Sequence, residues 1–121
     1  MIEYKTGNLL TASTDALVNT VNTEGVMGKG IALQFKNAFP QMFKAYENAC
    51  QSGEVKLGKM NVFDMGGLAG GPRWIINFPT KGHWRSKSRL QDVASGLADL
   101  VETIKEFQIQ SIAIPPLGCG N

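Results

Sequence analysis

Residues 19–30 read Asn-Thr-Val-Asn-Thr-Glu-Gly-Val-Met-Gly-Lys-Gly and join an apolar run, 16–18, to a helix-like apolar pattern that begins at Ile31. A buried strand, a glycine-rich turn and a helix start in this order can form an anion site. The glycines let the backbone approach a ligand closely, and the first amides of the helix point unpaired N–H groups at it. The alternative is an ordinary connection between a strand and a helix, and this stretch alone does not decide between the two.

The glycine spacing excludes two familiar nucleotide motifs. Gly28-Lys29-Gly30 lacks the third glycine that a dinucleotide-binding turn requires, and no Ser or Thr follows Lys29 as in the phosphate loop of nucleotide hydrolases. An anion site in this turn would therefore belong to neither class.

The composition is that of a small globular domain. The chain has 121 residues, of which 43% are hydrophobic and 18% charged, so we expect one domain, 1–121, with no membrane-spanning segment. A net charge of +2 is too small to imply nucleic-acid binding by itself. Met1 leads into a strand-like segment without a signal peptide, and Cys50 and Cys119 form neither a metal pattern nor a disulfide framework. We therefore expect a cytoplasmic protein.

Strand-like and helix-like segments alternate along the chain. Strands are predicted over residues 2–6, 16–20, 60–65, 73–78 and 111–115. A glycine-rich connection, 66–72, is typical of a hairpin between the third and fourth of these strands. The alternation predicts a layered α/β fold around a mixed, mainly parallel sheet.

Three helices are predicted between these strands. The first covers 31–37, and the second begins at Phe39-Pro40 and ends at Ser52-Gly53. The apolar face of the second helix is predicted to be core and consists of Phe39, Met42, Phe43, Tyr46 and Ala49. The stripe of the third helix consists of Leu90, Val93, Leu97, Leu100, Ile104 and Phe107. Ser88 and Gln91 match a capping box at its start.

The last predicted strand runs into Pro116-Leu117-Gly118-Cys119-Gly120-Asn121. A buried strand that leads to such a glycine turn is expected to be followed by a covering helix, and none follows. We therefore expect this chain to be truncated on its C-terminal side, without its final helix and strand.

Ligands of sheets covered on both faces bind beyond the carboxyl ends of the strands. Three predicted loops leave such ends: 19–30, 79–87 and 115–121. The middle loop differs from the glycine-rich pair because it leads into a basic cluster with one tryptophan, made of Lys81, His83, Trp84, Arg85, Lys87 and Arg89.

This basic cluster precedes a helix start, where the macrodipole disfavours positive charge. A solvated charged loop would therefore carry a small energetic cost. Phosphates of a ligand would offset that cost, and Trp84 could stack on a base, so we favour a functional interpretation. Lys81 is the candidate for covalent or acid–base chemistry, because a partly desolvated lysine can act as a neutral amine. His83 alone is more often structural than catalytic.

In combination, five motifs of the chain resemble the macrodomain family, the ADP-ribose-binding fold. They are Gly7-Asn8-Leu9, residues 16–22, Gly28-Lys29-Gly30, residues 77–81 and residues 114–120. The resemblance implies a three-layer α/β/α sandwich. The Asn-Thr-Val-Asn turn, the lysine after Phe-Pro-Thr and the Pro-Pro-Leu-Gly-Cys-Gly end are most similar to the DarG type. DarG macrodomains remove ADP-ribose that a DarT toxin attaches to thymidine in single-stranded DNA.

The resemblance also implies roles for individual residues. Asn8 and the Leu9 amide would contact the adenine, and Asn22 would hold the distal ribose. Lys81 would be catalytic together with Asn22, by attack on the anomeric carbon of that ribose. The remaining ADP-ribose contacts implied are Asn19, Gly28, Lys29, Gly30, Thr80, Pro116, Leu117, Gly118, Cys119, Gly120 and Asn121. DNA contacts would come from His83, Trp84, Arg85 and Lys87.

The hypothesis is thus a DNA ADP-ribosyl glycohydrolase, an antitoxin acting on ADP-ribosylated single-stranded DNA, with a DarT-type toxin as a possible partner. Three alternatives stay open: a module that binds ADP-ribose without turnover, a glycohydrolase acting on ADP-ribosylated protein, and an enzyme that removes the terminal phosphate of ADP-ribose phosphate. We expect a monomer that needs no cofactor, and no metal is expected because Asp, Glu and His nowhere cluster at ligand spacing.

Overall fold

Strands and helices alternate in the computed structural model, which describes residues 2–3, 9–67, 71–83 and 85–117. The strands are β1 (Ile2–Glu3), β2 (Ala16–Asn22), β3 (Asn61–Asp64), β4 (Trp74–Lys81) and β5 (Ile112–Ala113). The helices are α1 (Gly30–Ala38), α2 (Pro40–Gln51) and α3 (Leu90–Glu106), and a short 3-10 helix spans Leu9–Thr11. In the described ranges no helix is long and apolar enough to cross a membrane.

The five strands form one sheet in the order β1-β5-β2-β4-β3. The pairs β1–β5, β5–β2 and β2–β4 are parallel, and the edge strand β3 runs antiparallel to β4. The predicted mixed, mainly parallel sheet and the hairpin between β3 and β4 are therefore confirmed.

The central strands β2 and β4 are longer than the sequence predicts. The predicted strand 73–78 was followed by a loop from Pro79 to Lys87, but β4 continues through Pro79 to Lys81. Proline donates no ladder hydrogen bond and is therefore uncommon inside a sheet. It is tolerated here because Pro79 lies beside a register shift between Val21 and Asn22 of β2, and irregular positions accommodate proline. Strand β2 likewise extends to Asn22 rather than ending at Thr20.

The helices cover both faces of the sheet. Leu17, Val21 and Ile75 pack in one apolar cluster with residues of α1 and α2. The intervening residues Val18 and Ile76 belong to a second cluster with Leu100 of α3. Because side chains alternate along a strand, the two clusters lie on opposite faces. The fold is the expected three-layer α/β/α sandwich.

The predicted core face of α2 is confirmed. Met42 and Tyr46 are fully buried. Phe39, Phe43 and Ala49 are partly buried against the same cluster. Helix α2 begins at Pro40 and ends with Ser52 as its C-cap, as predicted.

Helix α3 is rotated relative to the predicted stripe. Val93 and Leu100 are buried, but Leu90 is 84% exposed and Leu97 41% exposed. Gly96 and Thr103 are buried in their place. The predicted capping box is wrong, since the N-cap is Arg89 and no side chain caps the helix. The rotation follows from Gly96, which lets the helix backbone approach the sheet closely.

This close approach predicts that Gly96→Ala destabilises the fold. A Cβ atom at residue 96 would overlap the ring of Phe78 in β4. Overpacking costs about 1–3 kcal/mol and should outweigh alanine's better helix propensity, worth about 1 kcal/mol. Urea unfolding of the variant and of Gly96→Ala/Phe78→Leu measures the effect. In the double variant, the smaller leucine side chain should recover part of the stability that Gly96→Ala loses. If the destabilising effects of the two substitutions simply add, the packing explanation is contradicted.

Candidate functional site

A cavity of about 550 Å³ opens where β2 and β4 end and α1 begins. Its walls are formed by residues of four segments: Thr20, Val21, Asn22, Val26, Gly28, Lys29, Gly30, Ile31, Ala32, Thr80, Lys81, Ser88 and Pro116. This is the carboxyl edge of the parallel strands, where α/β sheets bind ligands. The predicted site residues in the lining are Asn22, Gly28, Lys29, Gly30, Thr80, Lys81 and Pro116.

The remaining predicted contacts lie elsewhere. Leu9 and Leu117 pack against the two apolar clusters and are absent from the cavity lining. His83, Arg85 and Lys87 are exposed residues that also do not line the cavity. Predictions for Asn8, Trp84, Gly118, Cys119, Gly120 and Asn121 lie outside the described residues.

Asn19 is fully buried and does not contribute to the cavity, so its position does not support the predicted ligand contact. Its Nδ2 donates to Oδ1 of Asn77 at 3.2 Å. The Nδ2 of Asn77 in turn donates to Oδ1 of Asn61 at 3.1 Å. The three amides form a row across β2, β4 and β3, so Asn19 joins neighbouring strands through its side chain.

The glycine turn delivers the start of α1 to the cavity. Gly30 has φ of +64°, a left-handed conformation that glycine adopts without strain. Lys29 is the N-cap of α1 and makes no side-chain cap hydrogen bond. Since Gly30, Ile31 and Ala32 line the cavity, the uncapped first turn of α1 adjoins it. Helix starts of this kind favour anions.

Asn22 is held rigidly at the end of β2. Its Oδ1 accepts from the backbone N–H groups of Glu24 at 2.9 Å and of Val26 at 3.3 Å. Its Nδ2 donates to the carbonyl oxygen of Val26 at 2.8 Å. The hydroxyl of Tyr46 lies 2.8 Å from the backbone oxygen of Asn22 and 2.9 Å from its Oδ1. These contacts fix the amide at the cavity wall.

Lys81 lies opposite Asn22 on the neighbouring central strand. It is the last residue of β4, is half-buried and pairs with Asn22 in the parallel register. Within the described ranges its ammonium has no carboxylate within ion-pair distance. An amine and an amide therefore face one cavity from neighbouring strands.

Two hydrogen bonds and a contact between Glu24 and His83 join the segment after β2 to the segment after β4. The N–H and Oγ1 of Thr23 both donate to the carbonyl oxygen of Gly82, at 3.2 and 3.1 Å. Oε1 of Glu24 lies 3.6 Å from Nε2 of His83. The turn that carries Asn22 and the segment that follows Lys81 are thereby held together.

Sequence reasoning missed Ser88, Thr23 and Tyr46 as residues of this site. Ser88 was assigned to a helix cap, but it lines the cavity instead. Tyr46 was predicted to be core, and no signal in the sequence indicates its hydrogen bond to Asn22. Within the described part of the chain, no group of three or more His, Cys, Asp and Glu could hold a metal ion.

The comparisons agree with this geometry. The Macro domain family profile matches residues 18–121. The chain is 61% identical, over its whole length, to a Mycobacterium tuberculosis protein named DNA ADP-ribosyl glycohydrolase. It is 34% identical to a Thermosipho africanus protein named DNA ADP-ribosyl transferase-DNA ADP-ribosyl glycohydrolase fusion protein, of which the alignment covers 33%.

Solved structures give the same result. The macrodomain of Mycobacterium tuberculosis DarG superposes with a TM-score of 0.95 at 60% identity, covering 99% of this chain and 78% of that one. Thermosipho africanus DarTG in complex with ADP-ribose gives 0.91 at 33% identity, covering 98% of this chain and 34% of that one. The chain therefore belongs to the macro domain family, and within it to the DarG macrodomains. It spans about a third, 34%, of the Mycobacterium tuberculosis relative's length.

The environment of Tyr46 predicts a pH effect on stability. Burial raises the pKa of its hydroxyl above the ordinary value of about 10. The unfolded chain therefore ionises first, and the free energy of unfolding falls above about pH 10 by up to ~1.4 kcal/mol per pH unit. Tyr46→Phe lacks this contribution, so its stability deficit relative to wild type should shrink between pH 9 and 11. Urea unfolding at each pH measures this, and a constant deficit would contradict it.

Proposed function

We propose that the cavity binds ADP-ribose and that the chain removes this group from bases of single-stranded DNA. The observation that carries the proposal is the pairing of Lys81 with Asn22 at a cavity bounded by the start of α1. The name of the Mycobacterium tuberculosis relative and the structure of a relative in complex with ADP-ribose support the same activity.

The pyrophosphate is placed at the glycine turn. Gly28, Lys29 and Gly30 are exposed, and the first turn of α1 offers unpaired backbone N–H groups beside them. Pro116, which follows β5, closes the cavity from another side. The distal ribose then lies toward Asn22 and Lys81, which occupy the ends of the central strands.

Lys81 is assigned the role of nucleophile. The attack requires the unprotonated amine, which forms a bond to the anomeric carbon of the distal ribose as the bond from that carbon to the base breaks. The base leaves with the bonding electron pair and takes up a proton, and the amine nitrogen loses one. Water then hydrolyses the lysine adduct, directly or after ring opening to an imine, which releases ADP-ribose and restores the amine.

The segment after Lys81 is assigned to the DNA. His83, Arg85 and Lys87 are exposed, and Lys87 adjoins the cavity residue Ser88 in sequence. The cationic side chains of Arg85 and Lys87 would attract the phosphates on either side of a modified base. A toxin that attaches ADP-ribose to DNA is the proposed partner, since one relative joins a DNA ADP-ribosyl transferase to the glycohydrolase in a single chain.

Lys81→Ala tests the assignment of the nucleophile. The variant should release ADP-ribose from modified single-stranded DNA about 100-fold more slowly or worse, because it has no amine to form the adduct. Chromatography of the released ADP-ribose measures the rate, and calorimetry with free ADP-ribose should give a Kd similar to that of wild type.

Lys105→Ala is the matched control, because Lys105 is in the last turn of α3, about 22 Å along the helix from its start beside the cavity. Equal release rates for the wild type and Lys81→Ala would contradict a mechanism in which Lys81 is the nucleophile. ADP-ribose binding without release by the wild type, from modified DNA or from modified protein, would instead favour a binding module.

Lys87→Ala tests the proposed DNA contact. One phosphate contact fewer should lower the slope of log Kd against log salt by about 0.7 for single-stranded DNA. The affinity for free ADP-ribose should not change, because Lys87 does not line the cavity. Fluorescence anisotropy with labelled DNA at several salt concentrations gives the slope, and a slope equal to that of Lys105→Ala would argue against the contact.

A further inference from the structure

Tyr46 reaches the site from a helix that does not line the cavity. Its ring is fully buried in the cluster beneath α1 and α2, and its hydroxyl is within hydrogen-bond distance of two oxygens of Asn22. We propose that Tyr46 is a positioning residue that holds the Asn22 amide with an N–H toward the cavity. This inference rests on the proposed function, because it specifies what Asn22 contributes to the reaction.

The contacts determine which end of the amide is the oxygen. Two backbone N–H groups, of Glu24 and Val26, point at one terminal atom of the Asn22 side chain, and a backbone carbonyl, of Val26, faces the other. A flipped amide would place its NH₂ group against the two N–H donors and its oxygen against the carbonyl. Both contacts would be repulsive, so the orientation is fixed by chemistry.

Tyr46 meets Asn22 where the pairing of β2 with β4 becomes irregular. The pairing skips Thr80 of β4 between Val21 and Asn22, and Asn22 is the last residue of β2. At this strand end the side chain of Asn22 lies within reach of α2, where the hydroxyl of Tyr46 meets it.

The hydroxyl acts as a permanent donor. Burial raises the pKa of Tyr46, so the group stays protonated throughout the neutral range. Its single proton can go to the backbone oxygen or to Oδ1 of Asn22, and both of these contacts restrain the same residue. The side chain of Cys50 is a further hydrogen-bond partner of the hydroxyl.

Because of these contacts, Asn22 can offer the substrate a hydrogen-bond donor but no acceptor. Oδ1 is surrounded by three donors, and one N–H of Nδ2 is committed to Val26. The second N–H of Nδ2 has no acceptor among the described residues and is left for an oxygen of the distal ribose. Asn22 therefore cannot accept a proton in the reaction, and proton transfer is left to Lys81, substrate or water.

Tyr46→Phe tests the positioning role, since it keeps the ring and removes the hydroxyl. We expect kcat for ADP-ribose release to fall about 10-fold or more, while KM and the Kd for free ADP-ribose change less than about 3-fold. The control is Phe43→Leu, which perturbs the same cluster next to Tyr46 but leaves the hydroxyl in place. A loss of kcat equal to that of the control would overturn the proposal.

A further measurement keeps the test independent of core stability and of the proposed function. In NMR spectra of the unliganded protein, the side-chain NH₂ of Asn22 should be a distinct, slowly exchanging pair in wild type and in Phe43→Leu. The same signals should shift and exchange faster in Tyr46→Phe. Unchanged signals would overturn the positioning role even if no turnover is observed with any substrate.

Asn22→Asp addresses the donor role without changing the core. The nearly isosteric side chain replaces the N–H groups by an oxygen that faces the carbonyl of Val26. We expect loss of kcat at least as large as in Tyr46→Phe. Activity close to that of wild type would show that a donor at this position is not required, and would overturn the inference while leaving the proposed function intact.

Discussion

The parallel pairing of β2 with β4 is the constraint on which the site depends. The two strands are in register from Ala16 opposite Trp74 to Val21 opposite Pro79, and the pairing resumes with Asn22 opposite Lys81. Both strands are buried almost throughout, so neither can slide without exposing apolar side chains. An amide and an amine that are 59 positions apart in the sequence are brought to one cavity by this pairing alone.

The rest of the cavity is assembled around this pair from segments that are suboptimal for stability. The N-cap of α3, Arg89, makes no side-chain cap hydrogen bond, and the exposed residues Lys87 and Arg89 stand where the helix macrodipole disfavours positive charge. Helix α1 also starts without a side-chain cap. Such losses are on the order of tenths of a kcal/mol to ~1 kcal/mol per feature. An anionic ligand would offset them, which agrees with the proposed function.

The fold was largely predictable because burial leaves periodic patterns in the sequence. The apolar run before Asn19 and the face of α2 from Met42 to Tyr46 indicated their elements correctly. The predicted end of the fourth strand before Pro79 is wrong. The missing N–H of proline costs a hydrogen bond only where the pairing of the strands is regular. The buried face of α3 was predicted incorrectly. The periodicity of apolar residues gives their spacing on a helix, but it does not show that Gly96 lets the helix backbone approach the sheet closely.

The site was predictable in part, and for a different reason. Residues that combine an unusual type with a strand end, Asn22 and Lys81, could be selected from the sequence and the family resemblance. Contacts made through the tertiary structure could not be. Nothing near Tyr46 in the sequence shows that its hydroxyl meets Asn22, and Ser88 looks like a cap until the backbone angles of the helix start are known.

The row of amides formed by Asn19, Asn77 and Asn61 makes the folded sheet selective for one alignment. Each amide meets the next only when β2, β4 and β3 pair residue 19 with 77 and 77 with 61. A shift by one residue would turn Asn77 to the opposite face and remove its hydrogen bonds to the buried Asn19 and the half-buried Asn61. A buried polar group left unpaired costs about 1–3 kcal/mol, so misaligned sheets are penalised. The polar groups in the protein interior therefore favour the one strand alignment that places Asn22 opposite Lys81.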